Sequence, residues 1–412
     1  NNGTQFWNYA FAGGNLYYST QGTGAWTISG NGTFSPVGTL TYTADGYTDT
    51  LFICDGVGTV NFSTTGTSFV NNGTYLAIGG TGATPAPVAI SLESYQQRVY
   101  ALTGTSLVYS NAGTPTDWTN DSVGFPVPSA GKGISLFKSA DRLIISKNSG
   151  AMLRWDGATL IDLATALGPT STRSTGDIED YRLYLNQYGY YGYGGNKPEL
   201  LSYPIERQIF NDTGSGVAGT TFNNAPATAF RYKYYASVGT VTDDLTSETV
   251  SNAVQIYDTR RTEWSNYSLA HPAVAWLPYT DNTGNPQLAF ASGSQVYQFS
   301  GTATSDSGNP ISTVIQGVIH YGAPESQKVW KYLWASFNPG AQARIQVAVV
   351  DTFTKGNLNW LDLGDCSNGI AELRFPSGSM GNLLMWRVTD NSSTDRFILY
   401  GFSVEADIKD RT

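Results

Sequence analysis

A β-turn flanked by two aromatic-rich strands returns along this chain at nearly even intervals. It stands as NYAFAGGNLYYS around Gly14, TLFICDGVGTVNFS around Gly58 and RVYALTGTSLVYS around Gly104. It returns as LIISKNSGAMLRWDG at Gly150, LYLNQYGYYGYGG at Gly189, YKYYASVGTVT at Gly239 and LAFASGSQVYQFSG at Gly293. Successive glycines lie 44, 46, 46, 39, 50 and 54 residues apart. A period of about 40–50 residues, each unit made of short strands, is the mark of a β-propeller. One small sheet cannot cover its own apolar faces, so neighbouring sheets must stack on it until a ring closes.

Composition agrees with strands and turns. Charged residues are 13% of the 412, about half the usual share of roughly 25%. In their place stand 46 glycines with 10 Trp, 26 Tyr and 18 Phe, a mixture suited to twisted strands joined by tight turns. Net charge is -9 and the pI is near 4.7. Tight nucleic-acid binders carry a basic stripe, because phosphate contacts supply most of their affinity. Here the densest basic pairs, Arg260 with Arg261 and Lys328 with Lys331, are local. An acidic surface repels DNA, which suits a conduit better than a binder, and it equally serves plain solubility. Cys54 and Cys366 are too few and too far apart for a disulfide framework or a metal site, and buried free thiols are expected. No run approaches the roughly 18 apolar residues of a membrane span. Because the first residue is Asn rather than Met, an N-terminal piece is expected to have been removed or left out.

The expected fold is all-β: a β-propeller of about six or seven blades over residues 1–310, then a C-terminal β-sandwich-like module over 311–412. The units are clearest from Ser91 to Tyr203, and residues 211–228 have the composition of a mobile loop. After Pro310 alternating strands continue, as in KYLWASFN and RFILYGFSVEADI, but the repeated turn is gone. SGTATSDSGNPIS (300–312) marks the join. In an alternative arrangement some of the late strands complete the last blade as a seam.

Motifs for chemistry are weak. His271 and His320 have no local Ser or Cys partner, so neither a triad nor a histidine metal site is supported. The loops TVTDDLTSE (240–248), TDNTGN (280–285), SDSGN (305–309) and TDNSSTD (389–395) offer Asp and Asn oxygens. None forms a twelve-position calcium loop ending in a bidentate Glu, and Asx-turns account for them without an ion. Glycoside hydrolysis needs two carboxylates facing each other across a pocket, and no pair stands out. The sialidase Asp-box does not occur. The aromatic run NQYGYYGYGG (186–195) fits either a sugar-stacking shelf or cross-strand packing, with packing favoured. The sequence thus offers no catalytic, cofactor-binding or metal residues, and the expected protein is not an enzyme and needs no cofactor.

Several ordered segments resemble the propeller-containing tail hub, or nozzle, proteins of short-tailed bacteriophages and related prophages. That family's blade runs from an arginine through an aromatic strand and turn to YS and a Pro-Thr-x-Trp element. It stands here as RVYALTGTSLVYSNAGTPTDW, from Arg98 to Trp118. GISLFKSADRLIISKNSGAMLRWDG (133–157) and YRLYLNQYGYYGYGGNKPELLSYPIE (181–206) are similar to its next two blades. YDTRRTEW (257–264), SGSQVYQFSGTATSDSGNPI (292–311), QKVWKYLWASF and the closing DRFILYGFSVEADI follow in the family's order. The likeness spans about residues 95 to 408 and is less clear over the first 90.

The resemblance implies a structural protein of the virion tail, made in the host cytoplasm. It implies a homo-oligomeric, hexameric ring that extends the portal channel, retains the packaged genome and conducts DNA during ejection. Implied partners are the phage portal or adaptor, tail fibre or tail needle proteins, and DNA in transient, non-specific passage. Two other readings compete with it. One is a glycan- or receptor-binding propeller adhesin at a virion tip or cell surface. The other is a propeller enzyme acting on polysaccharide.

Overall fold

A computed structural model describes residues 7–20, 25–30, 34–35, 41–45, 50–65, 67–71, 87–118, 125–127, 131–139, 141–164, 166–210, 224–242, 249–281, 283–299, 305–306, 309–310, 313–319, 325–338, 343–350, 358–366, 369–390 and 398–409. The chain is all-β, built of many small antiparallel sheets, and has β-propeller character. Its one described helical stretch is short, Tyr203–Ile205 followed by Glu206–Ile209.

Seven sheets follow one another, and in each the strands pair in chain order. Sheet 1 holds β1 (Trp7–Ala12), β2 (Asn15–Thr20) and β3 (Thr27–Ile28). Sheet 2 holds β4 (Thr41–Asp45), β5 (Thr50–Cys54), β6 (Asn61–Ser63) and β7 (Val70–Asn71). Sheet 3 holds β8 (Ser91–Tyr95), β9 (Arg98–Leu102), β10 (Ser106–Tyr109) and β11 (Phe125–Pro126). Sheet 4 holds β12 (Gly133–Ser139), β13 (Arg142–Lys147), β14 (Met152–Trp155) and β15 (Leu160–Ala164). Sheet 5 holds β16 (Thr175–Ile178), β17 (Tyr181–Asn186), β18 (Gly189–Tyr193) and β19 (Glu199–Leu200). Sheet 6 holds β20 (Ala227–Phe230), β21 (Lys233–Thr242), β22 (Thr249–Asp258) and β23 (Glu263–Ser268). Sheet 7 holds β24 (Ala275–Thr280), β25 (Pro286–Ser292) and β26 (Gln295–Phe299). A small hairpin, β27 (Ser305–Asp306) with β28 (Asn309–Pro310), comes next.

The repeated turn mostly lies where the spacing places it, between two paired strands. At Gly13 and Gly14, φ of +59° and +83° makes the two-residue hairpin that joins β1 to β2. Gly239 is the exception. It lies inside β21, where the register to β22 shifts on both sides of it, so its φ of +78° serves a bulge and not a turn.

Alternation explains why the sheets stack. In sheets 2 to 6 the second strand is apolar on both faces, so it buries side chains against two neighbours at once. On β5, Leu51 and Ile53 join the core shared with sheet 1, while Phe52 and Cys54 join the one shared with sheet 3. On β9, Val99 and Ala101 face sheet 2, and Tyr100 and Leu102 face sheet 4. β13 divides Leu143 and Ile145 from Ile144, β17 divides Tyr184 from Leu183 and Leu185, and β21 divides Tyr234 from Tyr235 in the same way. Six such cores link sheet 1 through to sheet 7. Each fully buried large apolar side chain in them is worth about 1.5–3 kcal/mol. The face of sheet 7 turned away from sheet 6 is more open, with Val296 51% exposed.

From Thr313 the pairing becomes long-range. β29 (Thr313–Ile319), β31 (Arg344–Val350), β32 (Leu361–Asp365) and β35 (Leu383–Asp390) form sheet 8, in the order β29-β35-β31-β32. β30 (Gln327–Phe337) is the centre of sheet 9, with β33 (Ile370–Arg374) and β34 (Met380–Gly381) beside it. The closing strand, β36 (Leu399–Lys409), pairs with β30 along its length, so β33 and β34 share the other side. Sheets 8 and 9 share one core, including Trp330, Leu333, Ile345, Val347, Leu384 and Val388. Among the described residues no strand after Thr313 pairs with sheet 7 or sheet 1.

Both cysteines are buried and neither is in a disulfide, and burial pushes the Cys366 thiol up to about 11. The segments 243–248, 307–308 and 391–397, parts of the Asp-rich loops, lie outside the described residues, as do 211–223 and His320.

Candidate functional site

The first strands of consecutive sheets form a row. β4 packs on β8 and β8 on β12, and β16 packs on β20 and β20 on β24. Side chains stitch the row together: the Ser94 N–H donates to Thr43 Oγ1 at 2.9 Å, and the Leu136 N–H donates to Ser91 Oγ at 2.9 Å. Ser139 Oγ donates to the Asp180 carbonyl at 3.2 Å. At Gly176 the approach is close, since a Cβ there would stand 2.8 Å from the Ala229 nitrogen on β20. Hydroxyls and a glycine at these positions let the leading strands come together without bulky side chains between them.

One charged cluster crosses this row. Lys138 on β12 reaches Glu93 on β8 at 3.7 Å. Arg182, the second residue of β17, grips Asp177 of β16 with two nitrogens, each at 2.5 Å. Its guanidinium also lies 4.2 Å from the centre of the Phe137 ring in sheet 4. Burial raises the Glu93 pKa, opposed by the nearby Lys138 and Arg182 charges and the Ser94 N–H. The consequence is chemical: both cations are already engaged by carboxylates of the same surface.

No single segment discloses this cluster, because it draws on three sheets. A partial signal exists, since Arg98, Arg142, Arg182 and Lys233 each stand at the start of the second strand of a unit. Arg98 stacks 4.9 Å from the Tyr109 ring centre and Lys233 bridges Asp258 at 3.6 Å.

The other sequence candidates are placed as follows. In the 186–195 run, Tyr190, Tyr191 and Tyr193 are buried and only Tyr188 stands out. Tyr190 donates to Gln255 Oε1 at 2.6 Å and packs edge-on to Tyr234, Tyr191 stacks on Tyr184, and Tyr193 meets Phe137. In the 280–285 loop the Asp281 carboxylate is consumed locally. It accepts from the Thr283 hydroxyl at 2.6 Å, from the Thr283 and Asn285 N–H groups at 2.9 Å each, and from Gln287 Nε2 at 2.9 Å. These bonds, the Thr283 hydroxyl foremost, hold its pKa well below the usual carboxylate range. Asp306 accepts the Ala270 N–H at 2.6 Å. His271 lies flat against Tyr297, ring centres 4.6 Å apart. A hydroxyl-rich cavity of about 500 Å³ lies between sheet 2 and the loop after β10, lined by Thr50, Phe62, Ser63, Ser68, Thr114 and Thr116 among others.

No protein-family model matches the chain, and no curated protein matches it. Among solved structures it is similar to the extracellular domain of BT4673 from B. thetaiotaomicron, with a TM-score of 0.48, 10% identity, and 90% of this chain and 56% of that one covered. It is similar to YCF48 bound to D1 peptide, at TM-score 0.42 and 9% identity over 73% of this chain and 90% of that one. It is also similar to the computationally designed Ika8 protein, at TM-score 0.38 and 12% identity over 71% and 94%. The chain spans little more than half the length of the BT4673 domain. Likeness at these scores carries no argument about function. Among the described residues no helix is long and apolar enough to cross a membrane.

Proposed function

We propose that this chain is a structural subunit of a short-tailed bacteriophage tail, a hub or nozzle protein. In this reading its seven small sheets are the blades of a propeller, and sheets 8 and 9 form a C-terminal β-sandwich module. The observation that carries the reading is the ordered run of tail-hub-like segments from about residue 95 to 408. Six successive inter-sheet cores support the propeller, which needs a seventh contact between sheets 7 and 1 to close. The self-neutralised row of leading strands supports a wall past which DNA slides without sticking. The subunits assemble as a hexameric ring in the virion tail, between the portal or adaptor and the fibre or needle proteins. The role is mechanical and not enzymatic, and it calls for no cofactor. The adhesin reading is weakened because its aromatic shelf is spent in packing.

The test is to place the chain in intact particles. Gold labelling of a tagged subunit should mark the tail axis below the portal, and purified protein should give rings with an axial pore in negative stain. Absence from virions together with a stable monomer in isolation would defeat the proposal.

A further inference from the structure

One end of sheet 6 gathers three arginines and a tyrosine on two hairpin tips. Phe230, Lys233, Asp258 and Glu263 stand in one row across its four strands, so the turn Arg231-Tyr232 and the loop 259–262 close at the same end. The tips are tied together, because the Thr259 N–H and hydroxyl both donate to the Tyr232 carbonyl, at 3.0 and 2.8 Å. Arg260 lies over the Tyr232 ring, 3.6 Å from its centre. Arg231 donates through Nη2 to the Pro286 carbonyl of β25 at 2.8 Å, and Arg261 stands exposed beside them.

The backbone of the first tip is strained. A two-residue hairpin turn of this kind needs positive φ at both positions, which Asn-Gly supplies at least cost. Here Arg231 and Tyr232 have φ of +49° and +62°, where bulky side chains are disfavoured. Both side chains are exposed, so burial does not offset the strain. Sheet 3 makes its matching turn with Gln96 and Gln97, at +48° and +59°, so strain alone does not set the sheet 6 tip apart. Its charge does. Lys233 answers Asp258 at 3.6 Å, and the exposed Glu263 can answer only one arginine of the three. The tip is therefore positive, on a chain whose net charge is -9.

We propose that these two tips bind a short acidic segment of a partner protein. Guanidinium forks match carboxylates two-pronged, and arginine beside tyrosine is the composition of interface hot spots. The extent of the patch favours a short protein segment over a nucleic-acid backbone. Gly176 of β16 lies against Thr228 and Ala229 of β20, so the turn that ends β16 stands beside Arg231-Tyr232. That turn carries Glu179 and Asp180, both exposed. A continuous row of phosphates would run from the arginines onto these carboxylates, whereas a short acidic segment ends within the patch. The inference rests on sheets 5 and 6 alone and does not depend on the tail-hub reading.

The probe is a fluorescent peptide, GSEEDEEGS, compared at low salt with GSQQNQQGS and with a short DNA duplex. Anisotropy titration with the full chain should show the acidic peptide binding about tenfold or more tightly than the neutral one. Giving the turn its preferred residues, Arg231→Asn with Tyr232→Gly, should weaken that binding about tenfold or more and also raise the melting temperature. Loss of binding with a gain in stability separates side chains kept for a partner from side chains kept for the fold. Arg374→Gln, which removes an exposed arginine from sheet 9, should leave binding unchanged. Equal affinity for the neutral peptide overturns the proposal, as does unchanged binding to the Asn-Gly variant. A melting temperature that falls in that variant overturns it too, because the two side chains would then serve the fold. Tighter binding of the duplex than of the acidic peptide would give the patch to nucleic acid, and self-association lost in the variant would give it to a second copy. Either result overturns the proposal.

Discussion

Sheets 1 to 7 and the C-terminal module bury their cores by opposite strategies. In the seven-sheet region nearly every strand pairs with its neighbour in sequence, and the second strand of each of sheets 2 to 6 feeds two cores. In the module, Thr313 pairs with Asp390 and Gln327 with Lys409, so the fold is complete only when the last strand arrives. Local pairing makes stability spread from unit to unit, as in other repeat architectures. Long-range pairing makes the module stand or fall with a single strand.

The largest expected effect sharpens that contrast. Removing residues 399–412 strips β36 from Trp330, Leu333, Phe337 and Trp386, and should unfold the module outright. Limited proteolysis should then cut within 313–390 while sheets 1 to 7 stay protected. Loss of protection in both regions would show that they do not fold independently. Next comes Phe52→Ala, which empties a fully buried position between sheets 2 and 3 and should cost about 3–5 kcal/mol. Denaturant melting should show this loss in the seven-sheet transition only. An equal shift in the module's transition would break the comparison.

Gly176→Ala should cost about 1–3 kcal/mol, because the new methyl group meets the backbone of Thr228 and Ala229 and nothing flexible can yield. A neutral result, read from the same melts, would mean that the leading strands of sheets 5 and 6 are not in close contact. The smallest effect concerns pH. Burial, the leading cause, raises the Glu93 pKa, so the native state holds this proton more tightly than the unfolded chain does. Stability then falls as pH climbs from the ordinary carboxylate value through the raised native one. Glu93→Gln should match the wild type below that window and exceed it above. A variant less stable than wild type at neutral pH would show instead that the Lys138 contact outweighs burial.

The same contrast explains what could be read in the sequence. Short hairpins and alternation around Gly104, Gly150 and Gly293 expose the repeated sheets directly, because partners lie a few residues apart. Gly239 misleads because a bulge and a turn make the same demand for positive φ. In the module the strands themselves were legible in runs such as KYLWASFN. Their partners were not, because alternation reports which face is buried and not which distant strand covers it. The charged cluster escaped for the same reason: Glu93 and Lys138 meet only because β8 and β12 lie side by side, and Asp177 joins them only through Arg182, whose guanidinium lies over Phe137 of β12. Tyr190 is the converse case. Its run reads equally as shelf or core until Gln255, far along the chain, supplies the buried hydrogen bond.

An electron cryomicroscopy map of the purified protein tests the central claim most directly. The account predicts rings of subunits around a pore, each subunit with seven radial sheets and with sheet 1 against the free face of sheet 7, covering Val296. Single particles in which sheets 1 and 7 stay apart and no ring forms would contradict it.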